Sequence, residues 1–336
     1  MKKFLRTTLV LIALLVIAYL AGPQFPKPVL SSALPSIHIE TSAFEPYLKQ
    51  KEAGLKIKPD NESRVIWAND SLKNKTKYCL LYLHGFSASW YEGNPVHLDF
   101  ARRYGMNLYM PLLASHGIET PDALLDMTPE RLYASAKEAL VAAHSLGEKV
   151  ILMGTSTGGT LMLKLASEFP DLMDGLILLS PNIAINNPAA FLLSNPWGLQ
   201  IARSVFKGNY SFAHADSASE RCRYWNCKYR IEAIVYLEQF VEATMTKETF
   251  SKIKLPVFLG YYYKDEAHQD PVVKVDAMLK MFGQLATPES LKQKVAFPEA
   301  GAHPIGSKLF SKAWQQVEIA SFKFAEEKLG LKPIKN

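Results

Sequence analysis

One stretch constrains this chain more than any other: residues 149–160, KVILMGTSTGGT. An apolar run at 150–153 meets Gly154-Thr155-Ser156-Thr157-Gly158, and a helical pattern follows. A G-x-S-x-G segment set between strand and helix reads as a cramped turn that lifts the serine hydroxyl above a sheet edge. The turn holds its serine in an unfavourable backbone region, where side chains two residues to either side would strike the joined strand and helix. Glycine at 154 and 158 removes those side chains. The same geometry aims the Thr157 amide, at the helix start, into the space above Ser156. A chance Gly/Ser loop could carry the same letters; the flanking strand and helix patterns favour the turn.

Upstream, residues 64–67 and 78–83 read as strands, the second apolar enough to be central in a sheet. It runs into His84-Gly85-Phe86. An acyl-transfer site needs main-chain amides aimed at a developing oxyanion, and Gly85 lets the chain turn close to the reacting atom. The Phe86 and Thr157 amides are the candidate donors. His84 is read as a structural histidine that bonds this loop, and His116 as a turn residue. Strand patterns at 107–110, 150–153 and 175–179 alternate with helical ones at 129–145, with Thr128 as N-cap, and at 160–168. Such alternation predicts a parallel sheet with helices on both faces, whose ligands gather at the carboxyl ends of the strands.

The closing residues come late in the chain. A strand at 255–260 leads into a tyrosine-rich loop holding Asp265 and Asp270, and a helix then runs to about residue 285. A catalytic histidine needs a carboxylate that holds its tautomer and stabilises its cation. Asp270, before Pro-Val-Val, is the preferred acid; Asp265 is the alternative. Asp270 would also serve as an N-cap with proline in the first helical turn. A last strand at 293–297 precedes Pro298-Glu299-Ala300-Gly301-Ala302-His303-Pro304, and a terminal amphipathic helix follows at 309–328. Of the eight histidines, His303 alone stands where a terminal catalytic base belongs. The order serine, aspartate, histidine is that of one hydrolase architecture.

Between 182 and 254 the alternation stops. Aromatic residues lie there among Asn, Ser, Gly and Arg, and 231–244 reads as an apolar-faced helix. An insertion this long at the strand ends is read as a cap or lid, most of its aromatics fixing it to the core and a few facing substrate. Cys222 and Cys227 enclose RYWN and can pair only if a turn separates them, while Cys79 reads as a core residue. No histidine stands near the pair at metal spacing, so zinc is not expected.

The chain begins with a basic stretch to Arg6 and an apolar run to Ala21, broken by Gly22 to Pro28. Residues 1–22 therefore read either as a signal peptide or as an uncleaved membrane anchor, with the body outside the cytoplasm on the periplasmic or extracellular side. Residues 23–62 read as a linker and an ill-defined lead-in. Three units of the +6 formal charge come from Lys2, Lys3 and Arg6, and no basic stripe with interleaved aromatics occurs, so nucleic acid is not an expected partner.

Together the His-Gly-Phe loop, the Gly-Thr-Ser-Thr-Gly turn, the Asp270 loop and the His303 loop resemble serine α/β-hydrolases of the carboxylesterase and monoacylglycerol-lipase-like group. The resemblance covers about residues 63–328. It implies an α/β-hydrolase fold with its core at 63–181 and 255–330 and a cap at 182–254. It also implies Ser156 as nucleophile, His303 as base and then acid, Asp270 as its orienter, and Phe86 and Thr157 as oxyanion donors. The implied substrate is a small-molecule ester or an acyl lipid, with no metal or cofactor required. A thioesterase or acyltransferase would use the same residues, and a non-catalytic binding module on this scaffold is the alternative of another class. The tyrosine-rich run ahead of Asp270 departs from the shorter, Gly-containing turn of the group, as does the leader.

Overall fold

The apolar run before Ser156 has no polar alternation, which is the signature of a strand covered on both faces. In the computed structural model, which describes residues 1–212 and 219–334 apart from the Lys2 side chain, that run lies at the middle of a seven-stranded sheet. In chain order, α1 (Lys2–Leu20) is followed by an extended segment and α2 (Phe44–Lys51). Then come β1 (Arg64–Ile66), β2 (Thr76–Leu83), α3 (Val96–Arg103), β3 (Asn107–Met110), α4 (Pro129–Ala143), β4 (Gly147–Thr155), α5 (Thr157–Glu168) and β5 (Gly175–Leu179). The insertion carries α6 (Gly198–Val205), β6 (Tyr210–Phe212), α7 (Glu220–Tyr224), β7 (Lys228–Arg230), α8 (Glu232–Thr244) and α9 (Lys247–Ser251). The core resumes with β8 (Val257–Tyr261), β9 (Tyr263–Asp265), β10 (His268–Gln269), α10 (Val275–Gln284), β11 (Lys292–Ala296) and α11 (Trp314–Glu327). Residues 213–218 of the expected cap lie outside the described residues.

The sheet order is β1-β3-β2-β4-β5-β8-β11, with β1 antiparallel to β3 and every other pair parallel. Register puts Cys79 opposite Val150 and Leu83 opposite Gly154, so His84 and Ser156 leave the sheet on the same edge. Alternate residues of β2 enter different cores: Cys79, Leu81 and Leu83 pack on one face, Leu80 and Tyr82 on the other. Helix α4 starts as read, with the Thr128 hydroxyl accepting from the Arg131 N–H at 3.3 Å and Pro129 in its first turn.

Three local readings differ from the structure. The lead-in contains α2, which buries Phe44 and Leu48 and sets Phe44 edge-on to Tyr109 at 5.0 Å; each such burial stabilises by roughly 1.5–3 kcal/mol. Two apolar residues on two turns are too few to announce a helix by periodicity. Helix α10 begins only at Val275 with Lys274 at its N-cap, so Asp270 does not cap it. The last helix begins at Trp314 rather than 309, because turns occupy the residues after Pro304.

None of the apolar window of helix α1 is buried in the body. At 19 residues it is about 28 Å long, close to the thickness of a hydrocarbon layer.

Candidate active site

The turn at Ser156 is cramped, as the spacing requires. Ser156 has φ 54° and ψ −119°, a conformation that a side chain tolerates only where its surroundings over-determine it. Those surroundings are main-chain bonds: the Ser156 N–H donates to Leu179 O at 3.1 Å, and the Asn182 N–H donates to Ser156 O at 3.0 Å. A Cβ on Gly158 would lie 1.9 Å from Leu83 O, so no larger residue fits where α5 crosses the end of β2. Helix α5 begins at Thr157, three residues earlier than its apolar pattern indicates, which puts the Thr157 N–H in the first turn.

The second loop is held by two side chains. The Leu113 N–H donates to His84 Nε2 at 3.2 Å, so the proton sits on Nδ1, which donates to Gly85 O at 3.0 Å. Burial, with His116 alongside, pushes the His84 pKa down to about 3. A buried neutral imidazole that uses both nitrogens on the loop is structural, as the sequence reading had it. The other side chain was not singled out in the sequence. Glu92 is buried, and its Oε2 accepts from the Gly85 N–H at 2.5 Å. Burial raises its pKa to about 7, against the lowering pull of the Gly85 N–H and of His303. Gly85 leaves it no spare room: a Cβ there would lie 2.8 Å from Glu92 Oε1 and 3.0 Å from the Ser156 Cβ. The main-chain N–H groups of Phe86 and Thr157 have no hydrogen-bond acceptor among the described residues.

Asp270 and His303 meet at the ends of β8 and β11. His303 Nδ1 donates to Asp270 Oδ2 at 2.7 Å, while Asp270 Oδ1 accepts from Val272 N–H at 2.9 Å and Val273 N–H at 3.1 Å. Asp270 is wholly buried, which opposes its charge, yet His303 and the two amides outweigh burial and hold its carboxyl below the usual range. For His303 burial likewise opposes the cation, but Asp270 prevails and the imidazole pKa is raised. His303 Nε2 is buried and has no hydrogen-bond partner among the described residues. Asp265 is engaged elsewhere: on the surface its Oδ1 lies 2.8 Å from His268 Nδ1 and accepts from two main-chain amides. The geometry thus brings Asp270, and not Asp265, to His303.

Ser156, Thr157, Phe86 and His303 line one cavity of about 440 Å³, floored by the strand-end loops and walled by Trp225, Tyr229, Ile234 and Leu237 of the insertion. A larger cavity of about 650 Å³, beside Leu112 and Arg131, holds none of the four. Cys222 and Cys227 are bridged, because α7 ends at Tyr224 and the chain turns to bring their Cα atoms within 5.4 Å. The lead-in grips this bridged loop: Lys58 Nζ donates to Cys222 O and Trp225 O, and Asn61 Nδ2 donates to Arg223 O at 2.9 Å. Burial lowers the Lys58 pKa to about 8. Among the described residues no three His, Cys, Asp or Glu side chains are placed to hold a metal.

Comparison with known proteins agrees with this architecture. The model of a family described as alpha/beta hydrolase matches residues 80–307. Among solved structures, a metagenome-derived lipolytic enzyme from the work on LipS and LipT superposes with TM-score 0.63 at 17% identity, over 80% of this chain and 98% of that one. The monoacylglycerol lipase of Paleococcus ferrophilus gives 0.57 at 14% identity, over 78% and 96%. Est1E from Butyrivibrio proteoclasticus, with ferulic acid bound, gives 0.54 at 17% identity, over 80% and 95%. No match was found among curated proteins. At these identities the structural likenesses speak for the fold alone.

Proposed function

Because the chain belongs to the alpha/beta hydrolase family, we propose that it is a serine hydrolase of carboxylic esters, with Ser156, His303 and Asp270 as its triad. One observation carries the reading: the Asp270–His303 bond leaves Nε2 open in the cavity that Ser156 lines. His303 Nε2 takes the Ser156 proton as the hydroxyl oxygen attacks the ester carbonyl carbon. The free N–H groups of Phe86 and Thr157 hold the oxyanion. Collapse breaks the bond to the alcohol, which leaves with the proton from His303. Water, deprotonated by the same nitrogen, then frees the acid and restores Ser156.

Residues 182–254 act as a cap in this reading. Their apolar wall, Trp225, Ile234 and Leu237, suits an acyl chain. Helix α1, basic at its first residues and apolar after them, serves as signal or anchor and leaves the catalytic body outside the cytoplasm.

The test is labelling by a fluorophosphonate probe, run beside hydrolysis of p-nitrophenyl esters of increasing chain length. Labelling of the wild type that disappears in Ser156→Ala supports the serine mechanism. A folded wild type that neither labels nor turns over any ester defeats it.

A further inference from the structure

The leader and the insertion are far apart in sequence, yet they touch. Trp197 donates its main-chain N–H to Pro23 O at 2.8 Å and its indole Nε1 to Ala18 O at 3.1 Å. Gln24 Nε2 donates to Ser194 O at 2.7 Å, and Gln239 Nε2 to Pro26 O at 3.0 Å. The Phe25 ring meets Tyr236 edge-on at 5.1 Å. The tether is therefore short. Ala18 lies in the last turn of α1, and the next anchor point, Pro23, follows the end of α1 at Leu20 by three residue steps, which span at most about 10 Å. If α1 sits in a membrane, the start of α6 is held against that membrane's surface.

The face that α6 offers fits that position. Trp197, at its N-cap, turns its indole to the end of α1, and Ile201 and Val205 follow four residues apart on one stripe. Trp197, Ile201 and Val205 are 39%, 36% and 72% exposed, while Ala202, on the other side of the helix, is buried. Phe206, directly after the helix, is exposed as well. From Asn187 to Phe212 the sequence has no carboxylate, and its cations are Lys207 and Arg203, the latter paired with Glu232 of α8 at 2.6 Å. An apolar stripe with a tryptophan at one end and a lysine at the other is the composition of a helix that lies in a lipid interface.

We propose that α6 docks in the surface of the same membrane that holds α1, so that the insertion rests on lipid and the enzyme draws an acyl ester from that surface. The proposal rests on the anchor and esterase readings above. It adds to them a second, peripheral contact made by the insertion.

The experiment uses the full chain reconstituted into phosphatidylcholine–phosphatidylglycerol vesicles with brominated acyl chains. Flotation reports α1, tryptophan quenching reports the α6 contact, and a soluble ester reports the site. Quenching that falls in Trp197→Phe shows that Trp197 lies in the lipid. The double variant Ile201→Glu/Val205→Glu changes only exposed positions and should fold as the wild type does. It is expected to float normally and to hydrolyse p-nitrophenyl acetate at the wild-type rate. On an oleoyl ester embedded in the vesicles its turnover should fall roughly tenfold, the loss that follows when two aliphatic side chains no longer enter the interface. Normal flotation with unchanged quenching and unchanged turnover of the embedded ester overturns the α6 contact alone. A dimer in detergent that the double variant dissociates also overturns it, since the stripe would then cover a second copy. Wild type that fails to float overturns it together with the anchor reading, and failure on the soluble ester as well strikes the esterase reading separately.

Discussion

The floor and the wall of the cavity are built by different means. The floor hangs on a parallel sheet: the Ser156 N–H reaches Leu179 O, the Ser180 N–H reaches Gly260 O at 2.8 Å, and the Phe297 N–H reaches Tyr261 O at 2.8 Å. The loops after β4, β5 and β11 are therefore each fixed by the main chain of a neighbouring strand. The wall, by contrast, depends on side chains and on one covalent bridge: Cys222–Cys227, the Lys58 ammonium, and the Asn226 Oδ1, which accepts from the Gly117 N–H at 3.1 Å. The difference separates chemistry from selection. Damage to the floor should abolish turnover of every ester, whereas damage to the wall should change which esters are preferred.

Ser156→Ala should test the floor most severely, lowering kcat by on the order of 10⁴ to 10⁶ for short and long esters alike. Circular dichroism should stay unchanged, because the main-chain bonds that fix the turn do not involve the hydroxyl. Asp270→Asn should cost on the order of 10⁴ in kcat, since an amide cannot hold the imidazole tautomer or stabilise its cation. Asp265→Asn should stay within about twofold, because that carboxylate is spent on an exposed His268. A large loss confined to Asp265→Asn would break the assignment.

The sign of the pH effect follows from His303. In the proposed mechanism it must be neutral to accept the serine proton, and its pKa is raised, so kcat/KM should fall as pH drops through a value above that of a free imidazole. Glu92→Gln sharpens the comparison from within the floor. Glutamine keeps an acceptor for the Gly85 N–H but removes a negative charge that favours the His303 cation. The acid limb of kcat/KM should therefore move to lower pH, with a loss of kcat of roughly tenfold or less. A merely structural Glu92 would leave that limb in place.

This contrast also explains what could be read from the sequence. The floor was legible because main-chain geometry writes itself into fixed spacings: only glycine fits two residues either side of Ser156, and only a strand pattern can precede each loop. Asp270 was legible only as a choice between two carboxylates, since a buried and an exposed aspartate look alike in a tyrosine-rich run. Glu92 left no pattern, because its partner is a backbone N–H and any residue supplies one. The grip of Lys58 and Asn61 on the bridged loop joins positions more than 160 apart in the chain, and no local periodicity encodes such a contact. The open question over the cysteines came down to one turn after Tyr224, which the letters RYWN permit but do not dictate.

The last prediction bears most directly on the wall. Cys222→Ser/Cys227→Ser removes a bridge that closes only a short loop, worth about 2 kcal/mol by chain entropy, and Lys58 and Asn61 still hold the loop on either side. The melting temperature should therefore fall by only a few degrees, and hydrolysis of p-nitrophenyl acetate should change by less than about twofold, since neither Ser156 nor His303 touches the bridge. Trp225 lies inside the bridged loop and lines the cavity against Phe310, at 5.3 Å between rings. Loosening the loop lets that indole move, so KM for long-chain esters should rise by roughly threefold to tenfold while kcat holds. Equal changes for short and long esters would mean that the wall acts on the chemistry itself, and the division between floor and wall would fail there first.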